Sequence, residues 1–152
     1  MVVAVLAGGP TGALAAPCGP AMPIEGEFSS GFGPRGGRMH TGVDLRAPQG
    51  SPVVAAAAGR VVFAGRFFDY GLMVEVEHPD GTRARYAHLA RFAPGLAAGA
   101  DVPRGGALGT LGRTGRTTGS NLHVALRRDG RPEDPWPWLT GAACAILITA
   151  RN

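Results

Sequence analysis

The sequence predicts an all-β fold: one compact domain of antiparallel sheets, with a groove between its loops and little helix. Three observations carry that expectation. Gly 25 and Pro 13 in 152 residues punctuate the chain at short intervals, as turns do between short strands. The runs between them hold strand-like patterns, such as Asn121-Leu122-His123-Val124, where polar and apolar residues alternate. A hydrophobic content of 45% argues against disorder despite the glycine. The length suits one hydrophobic core, and no internal repeat or interdomain linker is evident.

Three stretches divide the chain: a signal-like N-terminal segment over 1–22, a main domain over 23–141 and a tail over 142–152. The apolar start runs into Gly12-Ala13-Leu14-Ala15-Ala16, which reads as the hydrophobic region and small-residue cleavage site of a secretory signal lacking its basic start. Pro17 spoils Cys18 as an acylation site, and no stretch is long and uninterrupted enough to span a membrane. Residues 27–38, with Gly31, Gly33, Gly36 and Gly37, read as a loop. Phe28 and Phe32 there are expected to pack. Arg35 and Arg38 are expected to be solvated, with contact to an anionic substrate as the alternative.

Two short strands are expected over 52–64, on either side of Gly59. Leu72-Met73-Val74-Glu75-Val76-Glu77 reads as a strand partly buried on both faces. Pro79-Asp80-Gly81 forms a hairpin turn, since proline presets φ and glycine accepts positive φ, and 82–88 returns as the partner strand. His78 at that turn is a structural or solvated histidine. Residues 91–100 form a loop with one short helical turn, and 101–109 a strand, tight turn and strand. Residues 111–120 are a glycine- and threonine-rich loop that delivers the Asn121 strand and lines a cleft rim. A second turn lies at Asp129-Gly130. Trp136 and Trp138 are expected to cap the core, and no role is assigned to 142–152.

The chemistry centres on His40-Thr41-Gly42-Val43-Asp44. Both side chains would have to point at one spot to share a zinc ion, which takes nitrogen or carboxylate oxygen at roughly 2.0–2.2 Å. On a straight strand four residues span about 13 Å, too far for one ion, and glycine with β-branched neighbours disfavours a helix. A bent, non-helical segment is therefore expected, with Gly42 permitting the bend. A third ligand must come from elsewhere. His123, on the same strand face as Asn121, is one candidate. His88, in Tyr86-Ala87-His88-Leu89, is another histidine at a strand end. Two histidines and one aspartate leave a fourth position open, the arrangement of a catalytic zinc site.

These segments resemble the lysostaphin/LytM-type zinc metallopeptidases, which cut peptides of bacterial peptidoglycan. The resemblance runs from about Pro23 to Leu139. It includes Ser30-Gly31-Phe32-Gly33-Pro34-Arg35, His40-Thr41-Gly42-Val43-Asp44-Leu45, Ala47-Pro48-Gln49-Gly50 and Ala57-Ala58-Gly59-Arg60-Val61-Val62. It continues through Tyr86-Ala87-His88-Leu89, Gly112-Arg113-Thr114-Gly115, Thr118-Gly119-Ser120-Asn121-Leu122-His123 and Asp134-Pro135. The resemblance implies metal ligands His40, Asp44 and His123 for Zn2+. It places His88 beside the metal, to stabilise the transition state or move a proton. Tyr86, two residues from His88, would share its face if that segment is a strand; it is expected to be a structural tyrosine, with lining of the pocket (substrate binding) as the alternative. The chain departs from the family where its usual His-x-His reads Asn121-Leu122-His123. Asn121 thus stands where active members carry a catalytic histidine, and an amide cannot carry a proton near neutral pH.

The function expected is a zinc-dependent endopeptidase that hydrolyses peptidoglycan peptides, exported to the periplasm, cell envelope or exterior. The alternative is a catalytically impaired module that binds peptidoglycan or regulates a cell-wall hydrolase. The net charge of +4 comes entirely from arginine, as the chain holds no lysine. It favours an anionic partner, but no basic cluster interleaved with aromatics marks a nucleic-acid binder. The absence of lysine also excludes a biotinyl or lipoyl carrier, which attaches its cofactor there. Cys18 and Cys144 are either unrelated thiols or, after export, a disulfide. The sequence leaves the oligomeric state open.

Overall fold

The computed structural model describes residues 19–141. Cys18, Cys144, most of the signal-like segment and the tail lie outside the described residues. Among the described residues the fold is all-β with one short helix. Strands β1 (Glu27–Ser30), β2 (Gly33–Arg35), β3 (Arg38–His40), β4 (Val43–Arg46), β5 (Pro52–Val54) and β6 (Gly59–Arg66) come first. After a 3-10 turn at Phe68–Tyr70 follow β7 (Leu72–Glu77), β8 (Arg83–Phe92), β9 (Asp101–Val102), β10 (Ala107–Leu111), β11 (Asn121–Arg128) and β12 (Arg131–Glu133). Helix α1 (Pro135–Leu139) closes the described chain.

The main sheet runs β1-β4-β11-β8-β7-β6-β9, with β12 beside β11 and β10 bridging β5 and β8. Strands β2 and β3 form a separate hairpin. On β11, Leu122, Val124 and Leu126 enter the core, and on β4 Val43 and Leu45 do so. The intervening His123 and Asp44 are register partners, so strand alternation brings them to the same opposite face. Tyr86, Leu89, Leu108 and Leu111 complete the centre of the core.

The expected strands on either side of Gly59, the β7–β8 hairpin, the strand–turn–strand over 101–109 and the Asp129-Gly130 turn are all present. In the β7–β8 turn, Asp80 Oδ1 accepts hydrogen bonds from Thr82 N at 3.0 Å and Thr82 Oγ1 at 2.6 Å. His78 is a structural histidine: it is buried, and its Nδ1–H donates to Ala58 O at 2.9 Å.

Three expectations need correction. Residues 27–38 are not a plain loop. Glu27–Ser30 pairs with β4, and Gly36-Gly37, at φ +53° and +78°, turns β2 tightly into β3. Two consecutive positive φ values are what a two-residue hairpin turn requires, and glycine adopts them without a Cβ clash. The helical turn expected in 91–100 is absent; there β8 extends to Phe92, and Gly99 N then bonds Val61 O. The helix sits at Pro135–Leu139 instead. Asp134 caps it by accepting from Trp136 N at 2.9 Å, and Pro135 occupies the first turn, where its missing N–H costs nothing. Trp136 and Trp138 pack against the core from this helix, and the Phe28 ring lies 4.5 Å from that of Trp136.

Candidate metal centre

The chain bends between β3 and β4, at Thr41 and Gly42. His40 therefore belongs to the β2–β3 hairpin and Asp44 to the main sheet. Gly42 serves this bend by its size. A Cβ there would meet Val124 O at 2.3 Å, His123 Cε1 at 2.7 Å and His123 Nε2 at 2.8 Å. The imidazole of His123 packs where any other side chain at 42 would begin.

Three donor atoms converge across this bend. His40 Nδ1 lies 2.5 Å from Gly31 O. A carbonyl only accepts, so Nδ1 carries the proton and Nε2 presents a lone pair. That Nε2 lies 3.3 Å from His123 Nδ1 and 3.3 Å from Asp44 Oδ2, while His123 Nδ1 lies 2.9 Å from Asp44 Oδ1. Two donors bound tetrahedrally at about 2.0–2.1 Å from one ion would sit roughly 3.3 Å apart. The observed spacings fit that requirement, and the ligating atoms all lie within 4.8 Å of one another. Two imidazoles and a carboxylate are also a donor set that zinc accepts.

The electrostatics keep Asp44 ionised. Burial pushes its carboxyl upward, but the His123 hydrogen bond and the charges of His123, His40 and Arg35 together hold it below the ordinary carboxylate value. To serve as a ligand, His123 Nδ1 must present its lone pair, which places the proton of the neutral ring on Nε2.

His88 stands across the groove, its ring 6.2 Å from that of His123. Its φ of +64° is unusual for a residue with a side chain. The cause lies in the ladder: Val74 faces Tyr86 and Leu72 faces Leu89, so two steps on β7 oppose three on β8. The extra residue is a bulge that re-aims His88 into the groove. Nδ1–H of His88 donates to Thr114 O at 2.8 Å, leaving Nε2 unprotonated in the neutral ring. Burial is the largest influence on His88 and lowers its pKa, outweighing the Thr114 hydrogen bond.

The same bulge corrects the expectation for Tyr86. Strict alternation would put it on the face of His88; the extra residue reverses the parity. Tyr86 is fully buried in the core, and its hydroxyl accepts from Ala56 N at 2.9 Å. The aromatic residue at the groove is Tyr70, whose ring lies 5.4 Å from that of His123. Arg85, ion-paired to buried Glu75 at 2.9 Å, places its guanidinium carbon 5.8 Å from the Tyr70 ring centre. Sequence reading missed Tyr70. Its available signal was Gly71, which takes φ +66° and touches Thr114 and Gly115 so closely that a Cβ would lie 2.3–2.5 Å from their backbone atoms.

Asn121 lines the groove with His123, as their shared strand face requires. Ser29 Oγ lies 3.1 Å from both Asn121 Oδ1 and Asp44 O. The groove has a volume of about 550 Å3. Arg116, Thr117 and Thr118 from the 111–120 loop form one wall, and Arg35, Arg38 and Met39 from the hairpin form another.

The sequence matches peptidase family M23 over residues 38–135. It is 44% identical over 98 residues to the DD-carboxypeptidase/endopeptidase Mpg of Neisseria meningitidis, covering 64% of this chain and 22% of that protein. It is 33% identical over 132 residues to the murein hydrolase activator EnvC of Escherichia coli, covering 85% of this chain and 31% of that one. The chain thus spans less than a third of either relative. Among solved structures, the catalytic domain of the antimicrobial peptidase lysostaphin from Staphylococcus simulans superposes with a TM-score of 0.69. The two are 31% identical, with 76% of this chain and 92% of that one covered. On these matches, which take in both sides of the bend, the groove and the strands that build it, the chain belongs to peptidase family M23.

Proposed function

We propose that the chain is a zinc metallopeptidase acting on peptide bonds of peptidoglycan, working slowly because Asn121 occupies a proton-carrying position. The observation that supports it is the convergence of His40 Nε2, Asp44 and His123 Nδ1 at hydrogen-bond spacing, facing His88 across an open groove. Its relatives Mpg and lysostaphin are named as peptidases, and export follows from where peptidoglycan lies.

In this reading His40, Asp44 and His123 hold the ion, which when bound supplies a Lewis acid and a water acidic enough to lose its proton near neutral pH. The residues of the chain supply the rest. Gly31 O fixes the tautomer and angle of His40 by accepting from Nδ1–H. Thr114 O does the same for His88, so that His88 Nε2 faces the groove and can accept or return a proton at the scissile amide. Thr114 is itself anchored: its hydroxyl donates to Leu89 O at 2.6 Å and accepts from Leu72 N at 3.0 Å. Asn121 orients groups by hydrogen bonding and takes no proton.

Two observations favour a second reading, a module that binds peptidoglycan or activates another hydrolase. Asn121 Oδ1 is engaged by Ser29, and a relative, EnvC, is named an activator. Zinc content measured beside hydrolysis of purified peptidoglycan separates the two. Stoichiometric zinc with release of peptide fragments is the expected result. Full zinc loading without any cleavage would replace the peptidase by the binding module.

A further inference from the structure

We infer that Arg35, Arg38 and Arg116 form a recognition site for substrate carboxylates, so that the groove selects an acidic peptide over its amidated counterpart. This rests on the reading of the groove as the peptide site and adds the substrate class to it.

The hairpin carries the argument. Arg35 and Arg38 are direct register partners across the Gly36-Gly37 turn. Side chains of such partners project to one face at close range, and like charges there are destabilising. The turn holds only two residues, at φ +53° and +78°, so the arginines cannot be spread by a longer loop. Both line the groove together with His40 and Asp44. Arg35 is partly engaged, at 2.7 Å from Ser30 Oγ and 3.6 Å from Asp44 Oδ2. Among the described residues Arg38 has no ion pair or side-chain hydrogen bond. An anion held between two cations set side by side on the groove rim would relieve their repulsion.

A second lining segment repeats the charge. Arg116 N donates to Asp69 O at 2.7 Å, which ties the 111–120 loop to the 3-10 turn. Its guanidinium is 3.8 Å from Asp69 Oδ2, and both side chains are mostly exposed, so that pair is weakly held and open to competition. The acidic groups facing this rim are Asp69 and Asp44, and Asp44 is committed to His40 and His123. Guanidinium groups grip carboxylates through two parallel N–H···O bonds. Arginines from two separate segments that line one groove therefore suit a peptide that carries carboxylates.

The test uses a synthetic peptidoglycan stem peptide with its side carboxylates free, and the same peptide with those groups as primary amides. Calorimetry on the zinc-loaded chain reads affinity without needing turnover. The acidic peptide should bind at least about tenfold tighter, as expected for one charge-assisted contact or more, and high salt should erase the difference. Arg38→Gln and Arg116→Gln should each reduce the preference at unchanged zinc content, and the double substitution should reduce it further, to what Arg35 alone supports. Equal affinity of the wild-type chain for both peptides would overturn the site, as would a preference that the double substitution leaves undiminished. If the variants fail to fold, the wild-type comparison across salt still decides. Cleavage is followed in parallel: no hydrolysis of either peptide at full zinc loading counts against the peptidase, while the preference is still read from binding.

Discussion

Alanine at position 42 perturbs the metal centre while leaving every donor atom in the chain. Its Cβ would lie 2.3 Å from Val124 O, which is β11 backbone and cannot rotate aside. Relief must come from a shift of β11 or a swing of the His123 ring, whose Cε1 and Nε2 would lie at 2.7 and 2.8 Å. Either movement displaces His123 Nδ1 from Asp44 and His40. Overpacking of this kind costs about 1–3 kcal/mol of folding stability. Loss of a group that positions a metal ligand typically costs roughly 10–100-fold in metal affinity. That converts to about 1.4–2.7 kcal/mol less zinc-linked stabilisation at fixed free zinc. Urea unfolding with chelator and again at fixed excess zinc separates the two losses. Gly50→Ala is the control: φ is +87° with nothing within 4 Å of the added Cβ. It should cost about 1–2 kcal/mol through backbone strain and leave zinc affinity unchanged. Native zinc affinity in Gly42→Ala, or equal zinc loss in both variants, would refute the reasoning.

Other outcomes follow from the same geometry. Asp44→Ala should sharply lower zinc content and His88→Ala should largely keep it, because only Asp44 contributes a converging donor; equal zinc in wild type and Asp44→Ala would sink the ligand assignment. Asn121→His should raise peptidoglycan hydrolysis at neutral pH at unchanged zinc, within the roughly 10²–10⁴-fold that a general acid or base supplies. A fall in rate would show that Asn121, with Ser29, is an adapted part of the site. Tyr86→Phe should cost about 1–3 kcal/mol by leaving the buried Ala56 N–H unpaired. Kinetic constants of the folded variant should stay native, and a raised KM alone would return Tyr86 to the pocket.

Much of the fold was legible because strand burial writes itself into the sequence with a period of two. Leu122, Val124 and Leu126 alternate with His123, so the strand, its buried face and the side presenting His123 could all be read directly. Pro79-Asp80-Gly81 marked its hairpin through residues whose dihedral preferences suit a turn. The α1 helix was present as Asp134-Pro135, a cap followed by a first-turn proline, but five residues show too little periodicity to outweigh a closing loop. The β2–β3 hairpin was hidden for a related reason. Gly36-Gly37 suits a two-residue turn, yet strands of three mostly exposed residues carry no apolar alternation.

By itself the sequence determined which residue types could meet a metal, that a strand would carry His123 and that a bent segment would carry His40 and Asp44, since those depend on local period and side-chain chemistry. Only the tertiary structure decided where His88 and Tyr86 point. One extra residue in β8 reverses the parity at His88 and Leu89 relative to Tyr86, and that bulge arises from pairing with β7, about which local sequence is silent. The role of Gly42 was decided in the same way. Locally it is a residue that can bend; in the folded chain it is the space occupied by His123 from a strand about 80 residues away. Tyr70 reaches the groove because Gly71 and Gly115 allow two distant loops to touch at backbone distance. Contacts of that kind are fixed by packing across the chain, and no window of neighbouring residues contains them.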